Sequence, residues 1–243
     1  MDDPRYERRA PSAQTAADVF PAWYTALPNV QSGNADLLHD PRITWLIDQA
    51  GGIADKTVLE IGPLEGAHTA MLLAAGAQHV TAVEANRGAW LRCLATKEIL
   101  GLRDAAFLCG DARAFMSAQP DRAYAFALAC GVLYHQPDPA SFLRTLCRVA
   151  DCVLLNTHIF DPDHPTPFVA QRLDGVEPDG TARMLYRAER NDPAFCGGSN
   201  AYARWMRADA IVATIESCGF RIQATRRESH ILAPLFALVA HRS

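Results

Sequence analysis

The chain has 243 residues, 49% of them hydrophobic, which is enough to bury a full α/β core without disulfides or metals. A formal net charge of −4 and a pI near 6.0 argue against a general affinity for nucleic acid, although a local basic patch stays compatible with them. Seven cysteines without a C-x-x-C pair, no signal-like N-terminal segment and no apolar run of about 20 residues argue against a disulfide framework, export or a membrane span, so a cytoplasmic protein is expected.

Residues 1 to about 18 are polar and charged and read as loosely ordered. Phe20-Pro21-Ala22-Trp23-Tyr24 then concentrates aromatic surface that needs cover. From Pro41 to Ala50, Ile43 and Trp45-Leu46-Ile47 mark a helix with Asp40 as its cap, Pro41 in its first turn and Gly51-Gly52 as its stop. Residues 1–50 are thus expected to form an N-terminal extension and capping helix ahead of a main domain over 51–243. There, strands at 57–61, 79–84, 105–109, 124–130 and 152–157 alternate with helices at 66–75, 87–100, 112–118 and 139–149. Such alternation implies a parallel sheet covered on both faces. Residues 158–204 break the rhythm with prolines and glycines, as a lid or substrate-binding insertion does. A helix at 207–218 and strands at 220–226 and 235–241 close the chain.

The most informative stretch is Val58-Leu59-Glu60-Ile61-Gly62-Pro63-Leu64-Glu65-Gly66-Ala67-His68-Thr69. An apolar strand carries an acid near its end, a glycine turn follows, and a second glycine opens a helix. Open parallel sheets hold nucleotide-like ligands at such a place. Val80-Thr81-Ala82-Val83-Glu84 is a second strand with an acid at its tip, placed to take both hydroxyls of a ribose. The turn reads G-P-L-E-G-A rather than G-x-G-x-x-G, so the closest approach a pyrophosphate needs is missing. That favours a ligand with ribose but no diphosphate, and it argues against a nicotinamide-dependent oxidoreductase.

From about Lys56 onward the pattern resembles the class I S-adenosylmethionine-dependent methyltransferases. Their first motif is matched by Glu60, Gly62 and Gly66, the acid of their second strand by Glu84, and that of their third by Asp111. Gly131-Val132-Leu133-Tyr134-His135 resembles the G-V-L-Y-H signature of a subgroup that includes tRNA wobble-uridine carboxymethyltransferases and many small-molecule methyltransferases. Trp23-Tyr24, Trp205 and Gly219-Phe220 fit that subgroup's outline. The resemblance implies a Rossmann-like methyltransferase fold: seven strands, mostly parallel with the last antiparallel, and helices on both faces. An N-terminal cap and a lid-like insertion complete it.

The resemblance also implies roles. Gly62, Pro63 and Gly66 pass close to the methionine portion of the cofactor, S-adenosylmethionine, with Glu60 under its ammonium group. Glu84, expected at an exposed strand tip, takes the ribose with Ala85 beside it. Asp111 and Ala112 meet the adenine, although Asp111 also reads as a helix N-cap. Cys130 and Gly131 lie where donor meets acceptor, with Tyr134 near the sulfonium. His135 reads as a base or acceptor-orienting group, or as a fastener of its own loop. Trp23, Tyr24, His158, Tyr202 and Trp205, with Tyr186, are expected to wall an acceptor pocket, against the plainer reading of lid packing. His158, Asp161 and His164 share a loop, but no fixed ligand spacing appears and no metal site is expected. The expected function is methyl transfer to a small molecule; the alternatives are a wobble-uridine tRNA enzyme and a silent cofactor-binding module. The short N-terminal extension, and Ser199-Asn200 near where the tRNA enzymes tend to place a cofactor-binding arginine, weaken the tRNA alternative.

Overall fold

The computed structural model describes residues 5–164, 172–177, 180–185, 198–228 and 234–243. A seven-stranded sheet organises them. Strands β1 (Thr57–Ile61), β2 (His79–Glu84), β3 (Ala105–Cys109), β4 (Tyr124–Cys130) and β5 (Ala150–His158) run parallel, and β9 (Phe220–Glu228) and β10 (Leu235–Arg242) complete the order β3-β2-β1-β4-β5-β10-β9. β10 is antiparallel to both of its neighbours. The order reverses between β1 and β4, and a crevice opens at such a switch point beyond the carboxyl ends of the strands.

Local chemistry explains where the helices begin. Asp40 caps α2 (Pro41–Gln49) by accepting from the Arg42 amide at 2.9 Å, with Pro41 in the first turn. Asn86 caps α4 (Arg87–Leu100), and Asp138 caps α6 (Pro139–Val149), where Pro139 again opens the helix. α6 buries Phe142, Leu143, Leu146 and Cys147, a spacing of three and four that lays one face on the sheet. α7 (Ala208–Ser217) packs beside it, while α2, α3 (Ala67–Ala74) and α4 cover the opposite face around Ile43, Leu46, Leu72 and Cys93. α5 (Ala112–Ser117) is the short helix after β3.

Two expectations need correction. Residues 13–17, read as part of a loosely ordered segment, form the short helix α1 (Ala13–Ala17), because Ser12 and Thr15 satisfy each other's backbone amides in a capping box. The interrupted stretch after β5 contains a three-stranded antiparallel sheet, β6 (Arg172–Val176), β7 (Ala182–Met184) and β8 (Ala203–Trp205). β7 and β8 are too short for alternation to show against the surrounding prolines and glycines. Their inward residues Ala182, Met184, Ala203 and Trp205 pack with Phe160 into a small core of their own.

Candidate active site

A cavity of about 680 Å³ lies beyond the carboxyl ends of β1 to β5. Its first wall is the turn after β1. Gly62, Leu64 and Gly66 all adopt positive φ, at 69°, 57° and 84°. At Gly62 the requirement is steric as well, since a Cβ would stand 2.6 Å from Val132 Cγ2 in the turn after β4. Gly66 sits at the N-cap of α3 and does not line the cavity, and its missing Cβ lets Phe107 approach from β3. Leu64 holds the left-handed conformation without glycine's freedom, a strain compensated by its amide bond to Glu84.

Glu84 is buried, at 9% exposure, and not on an exposed tip. Its carboxylate accepts from the backbone amides of Leu64 at 3.2 Å and Asn86 at 2.7 Å, which ties the turns after β1 and β2 together. Burial raises its pKa, and these amides oppose the rise. Ala85 and Asn86 continue the wall. Asp111 caps α5 through Oδ1, which accepts from the Arg113 and Ala114 amides at 2.8 and 2.9 Å, so the capping reading holds in the structure. Asp111 lines the cavity beside Ala112 and Arg113.

Glu60 lies beneath the wall and is 1% exposed. Thr69 Oγ1 donates to Oε2, while Oε1 is buried with no hydrogen-bond partner. Burial pushes its pKa up to about 7, against the lowering effects of His68 and Thr69.

The far wall is Cys130, Gly131 and the turn after β4. Tyr134 stands 4.1 Å from the His135 ring and 4.8 Å from that of His158, centroid to centroid. His158 ends β5 and stacks on Trp205 at 5.0 Å and 14°. Trp205 therefore backs His158 from the small core instead of facing the cavity. His135 Nδ1 accepts from the Gly198 amide at 3.2 Å, so the neutral ring carries its proton on Nε2. Burial, with a contribution from His158, depresses its pKa to about 3.

The structure brings Tyr24, Gly62, Pro63, Glu84, Ala85, Asp111, Ala112, Cys130, Gly131, Tyr134, His135 and His158 to one cavity. It does not bring Trp23 or Tyr202 there. Trp23 donates to the Ala17 carbonyl and meets Phe20 edge-on, and Tyr202 lies between the guanidinium groups of Arg183 and Arg204. Tyr186 lies outside the described residues. Among the described residues no cluster of three or more His, Cys, Asp or Glu has a metal-holding arrangement.

Sequence reasoning missed Arg42 and His68, which line the cavity and are joined by the buried Asp40. It also missed Glu65. This carboxylate accepts from the amides of Tyr24 and Thr25, at 3.0 and 2.7 Å, and pairs with Arg92 at 2.9 Å, which fixes Tyr24 at the mouth of the cavity. An acid inside the glycine turn was the available signal.

Glu60 generates a pH prediction. A folded pKa above the unfolded one means that stability is unaffected below about pH 4.5 and falls as pH rises toward about 7, by about 3 kcal/mol for a shift of that size. Glu60→Gln is expected to match the wild type in denaturant unfolding at pH 4.5 and to exceed it at pH 8. Equal stability differences at both pH values would show that the carboxyl is ionised without penalty.

Residues 59–151 match the model of a family described as a methyltransferase domain. A comparison with curated protein sequences returned no match. Among solved structures, the N-terminal domain of EvdMO1, determined in the presence of SAH and D-fucose, is 19% identical over 95% of each chain with a TM-score of 0.66. Magnesium protoporphyrin IX methyltransferase (ChlM) from Synechocystis PCC 6803, with bound SAH, is 20% identical over 84% of this chain and 81% of that one, with a TM-score of 0.59. The 1,6-didemethyltoxoflavin-N1-methyltransferase of Burkholderia thailandensis, with its substrate and S-adenosylhomocysteine, is 16% identical over 86% and 79%, at a TM-score of 0.56. At these identities the likeness is one of fold, and that fold is the Rossmann-like methyltransferase sheet. Residues 59–151 are thus similar to a methyltransferase domain, and the sheet around them has the fold of structures that hold S-adenosylhomocysteine.

Proposed function

We propose that this chain methylates a small-molecule acceptor held in the cavity between the β1 turn and the Tyr134–His158 wall. The observation that carries the reading is one continuous cavity with Glu84 and the Gly62 turn at one end and aromatic and imidazole side chains at the other. Bound S-adenosylmethionine supplies an electrophilic methyl group to a nucleophile aligned behind it. Three features of the chain fit that group. Glu60 Oε1 is a buried acceptor without a donor, suited to an ammonium group. Gly62 clears the path beside Val132, and Glu84 presents a carboxylate to the cavity at the tip of β2. The similar structures named above include a domain determined in the presence of D-fucose, a magnesium protoporphyrin IX methyltransferase and a methyltransferase holding 1,6-didemethyltoxoflavin, which accords with a small acceptor. Among the described residues of the cavity wall, none favours a tRNA acceptor over a small one.

His135 belongs in this reading as an orienting group. A ring with a pKa near 3 is neutral, and its Nδ1 lone pair is engaged by the Gly198 amide instead of a substrate proton. The work then falls on alignment and exclusion of water.

The direct test incubates the protein with methyl-labelled donor and, separately, fractionated metabolites and total tRNA. Label in a small-molecule fraction is the expected result, and label in tRNA alone would reverse the assignment. Calorimetry should show one site for S-adenosylhomocysteine and no binding of NAD.

Glu84→Ala should act twice. Loss of charged hydrogen bonds to the ribose lowers affinity for S-adenosylhomocysteine by about ten-fold or more. The Leu64 and Asn86 amides also lose their acceptor, at about 1–3 kcal/mol for each amide left buried, so the melting temperature falls as well. A variant that melts lower but binds within about two-fold of wild type makes Glu84 a purely structural residue.

For His135, nitrogen-detected NMR of the histidine rings should show a neutral Nε2–H tautomer that does not change between pH 5 and 9. A His135 titration inside that window, abolished in His135→Gln, would restore it as a base.

A further inference from the structure

Three places in the molecule hold groups the proposed function leaves unused. The paired guanidiniums of Arg183 and Arg204 are occupied by Tyr202 and Glu177. The thiols of Cys147 and Cys218 meet between α6 and α7, packed into the core. The third place faces the cavity. Asp40, 3% exposed at the N-terminus of α2, receives Arg42 through Nε at 2.9 Å and Nη2 at 2.5 Å, and His68 Nε2 at 2.9 Å.

One carboxylate therefore carries two cationic partners. Burial opposes a charge on His68, but Asp40 and the neighbouring Cys130 outweigh it and raise the ring's pKa to about 10, so the ring is protonated at neutral pH. Arg42 spends Nε and Nη2 on Asp40 and lines the cavity. Besides Cys130 and Tyr134, which act on Arg42, the ionisable groups near the cluster include Glu60, whose ionisation is suppressed by burial, and Glu84, whose oxygens accept backbone amides. A guanidinium held side-on presents its remaining N–H edge in a fixed plane, the geometry that suits a carboxylate.

We propose that Arg42, braced with His68 on Asp40, is a carboxylate-binding corner of this cavity. This rests on the methyl-donor reading above. The carboxylate has two possible sources, the amino-acid end of the donor or an acid group on the acceptor, and the same charge recognises either.

Calorimetry with S-adenosylhomocysteine and with 5′-methylthioadenosine, which keeps the nucleoside and thioether but lacks the amino acid, separates the sources. If the donor supplies the carboxylate, Arg42→Gln weakens S-adenosylhomocysteine by about ten-fold or more and leaves 5′-methylthioadenosine within about two-fold. Arg42→Lys, which keeps the charge and guards against a folding defect, recovers part of the loss. If the acceptor supplies it, neither nucleoside changes. The wild type loaded with S-adenosylhomocysteine then melts higher with benzoate than with the isosteric neutral benzamide, and Arg42→Gln does not. Unchanged nucleoside binding together with no preference for benzoate overturns the proposal. Failure of the wild type to bind either nucleoside overturns the methyl-donor reading instead, and benzoate against benzamide on the ligand-free protein then judges the corner alone.

Discussion

Four carboxylates are buried at the carboxyl edge of this sheet, and the architecture of the site follows from how each is satisfied. Asp40, Glu60, Glu65 and Glu84 are exposed by 3%, 1%, 2% and 9%. A buried charge without partners costs several kcal/mol, so each has to find donors or give up its ionisation. Glu84 takes backbone amides from two turns, and Glu65 takes amides from the N-terminal segment together with Arg92. Asp40 takes two cations. Glu60 has one hydroxyl and keeps its proton up to about pH 7.

These four solutions divide the labour between scaffold and site. Glu65 and Glu84 act mainly as fasteners. One anchors the segment that carries Tyr24, and the other fixes the left-handed turn at Leu64 against the end of β2. Both hold backbone, which has no freedom to leave once the sheet has formed. Asp40 and Glu60 hold side chains instead. Arg42, seated on Asp40, lines the cavity, while Glu60 stays beneath its wall with one oxygen unpaired.

Most of the fold was legible because the signals were local. Strand and helix limits along the parallel sheet follow from apolar runs closed by acids, glycines and capping residues such as Asn86 and Asp138, and those determinants lie within a few residues of the boundary. The three-stranded sheet was not legible, since two of its strands have three residues and carry almost no periodicity, and their burial depends on Phe160 and Tyr134 arriving from elsewhere in the chain. The same distinction runs through the site. Glu84, Asp111 and Gly62 sit at strand ends that the sequence marks. Arg42 and His68 meet only because α2 and α3 dock on the same face of the sheet, and the connection between them, Asp40, looked like an ordinary helix cap. Gly66 shows a further use of a motif glycine: at the expected spacing and at the start of α3, its missing Cβ also admits Phe107.

His135 shows how environment decides what a residue type can do. An imidazole in water is half protonated near neutral pH, which makes it an obvious base on paper. Here burial disfavours the cation, a second imidazole at His158 disfavours it further, and the Gly198 amide claims Nδ1. What remains is a neutral ring fixed in a wall of rings. Methyl transfer has little need of more, because the donor arrives already charged and loses that charge as the bond forms. A wall that keeps water out and holds the acceptor in line accelerates such a step without exchanging a proton. An acceptor that must shed a proton would have to lose it elsewhere. Stacked on Trp205 at the tip of β5, the His158 ring is a further imidazole in the same wall as His135.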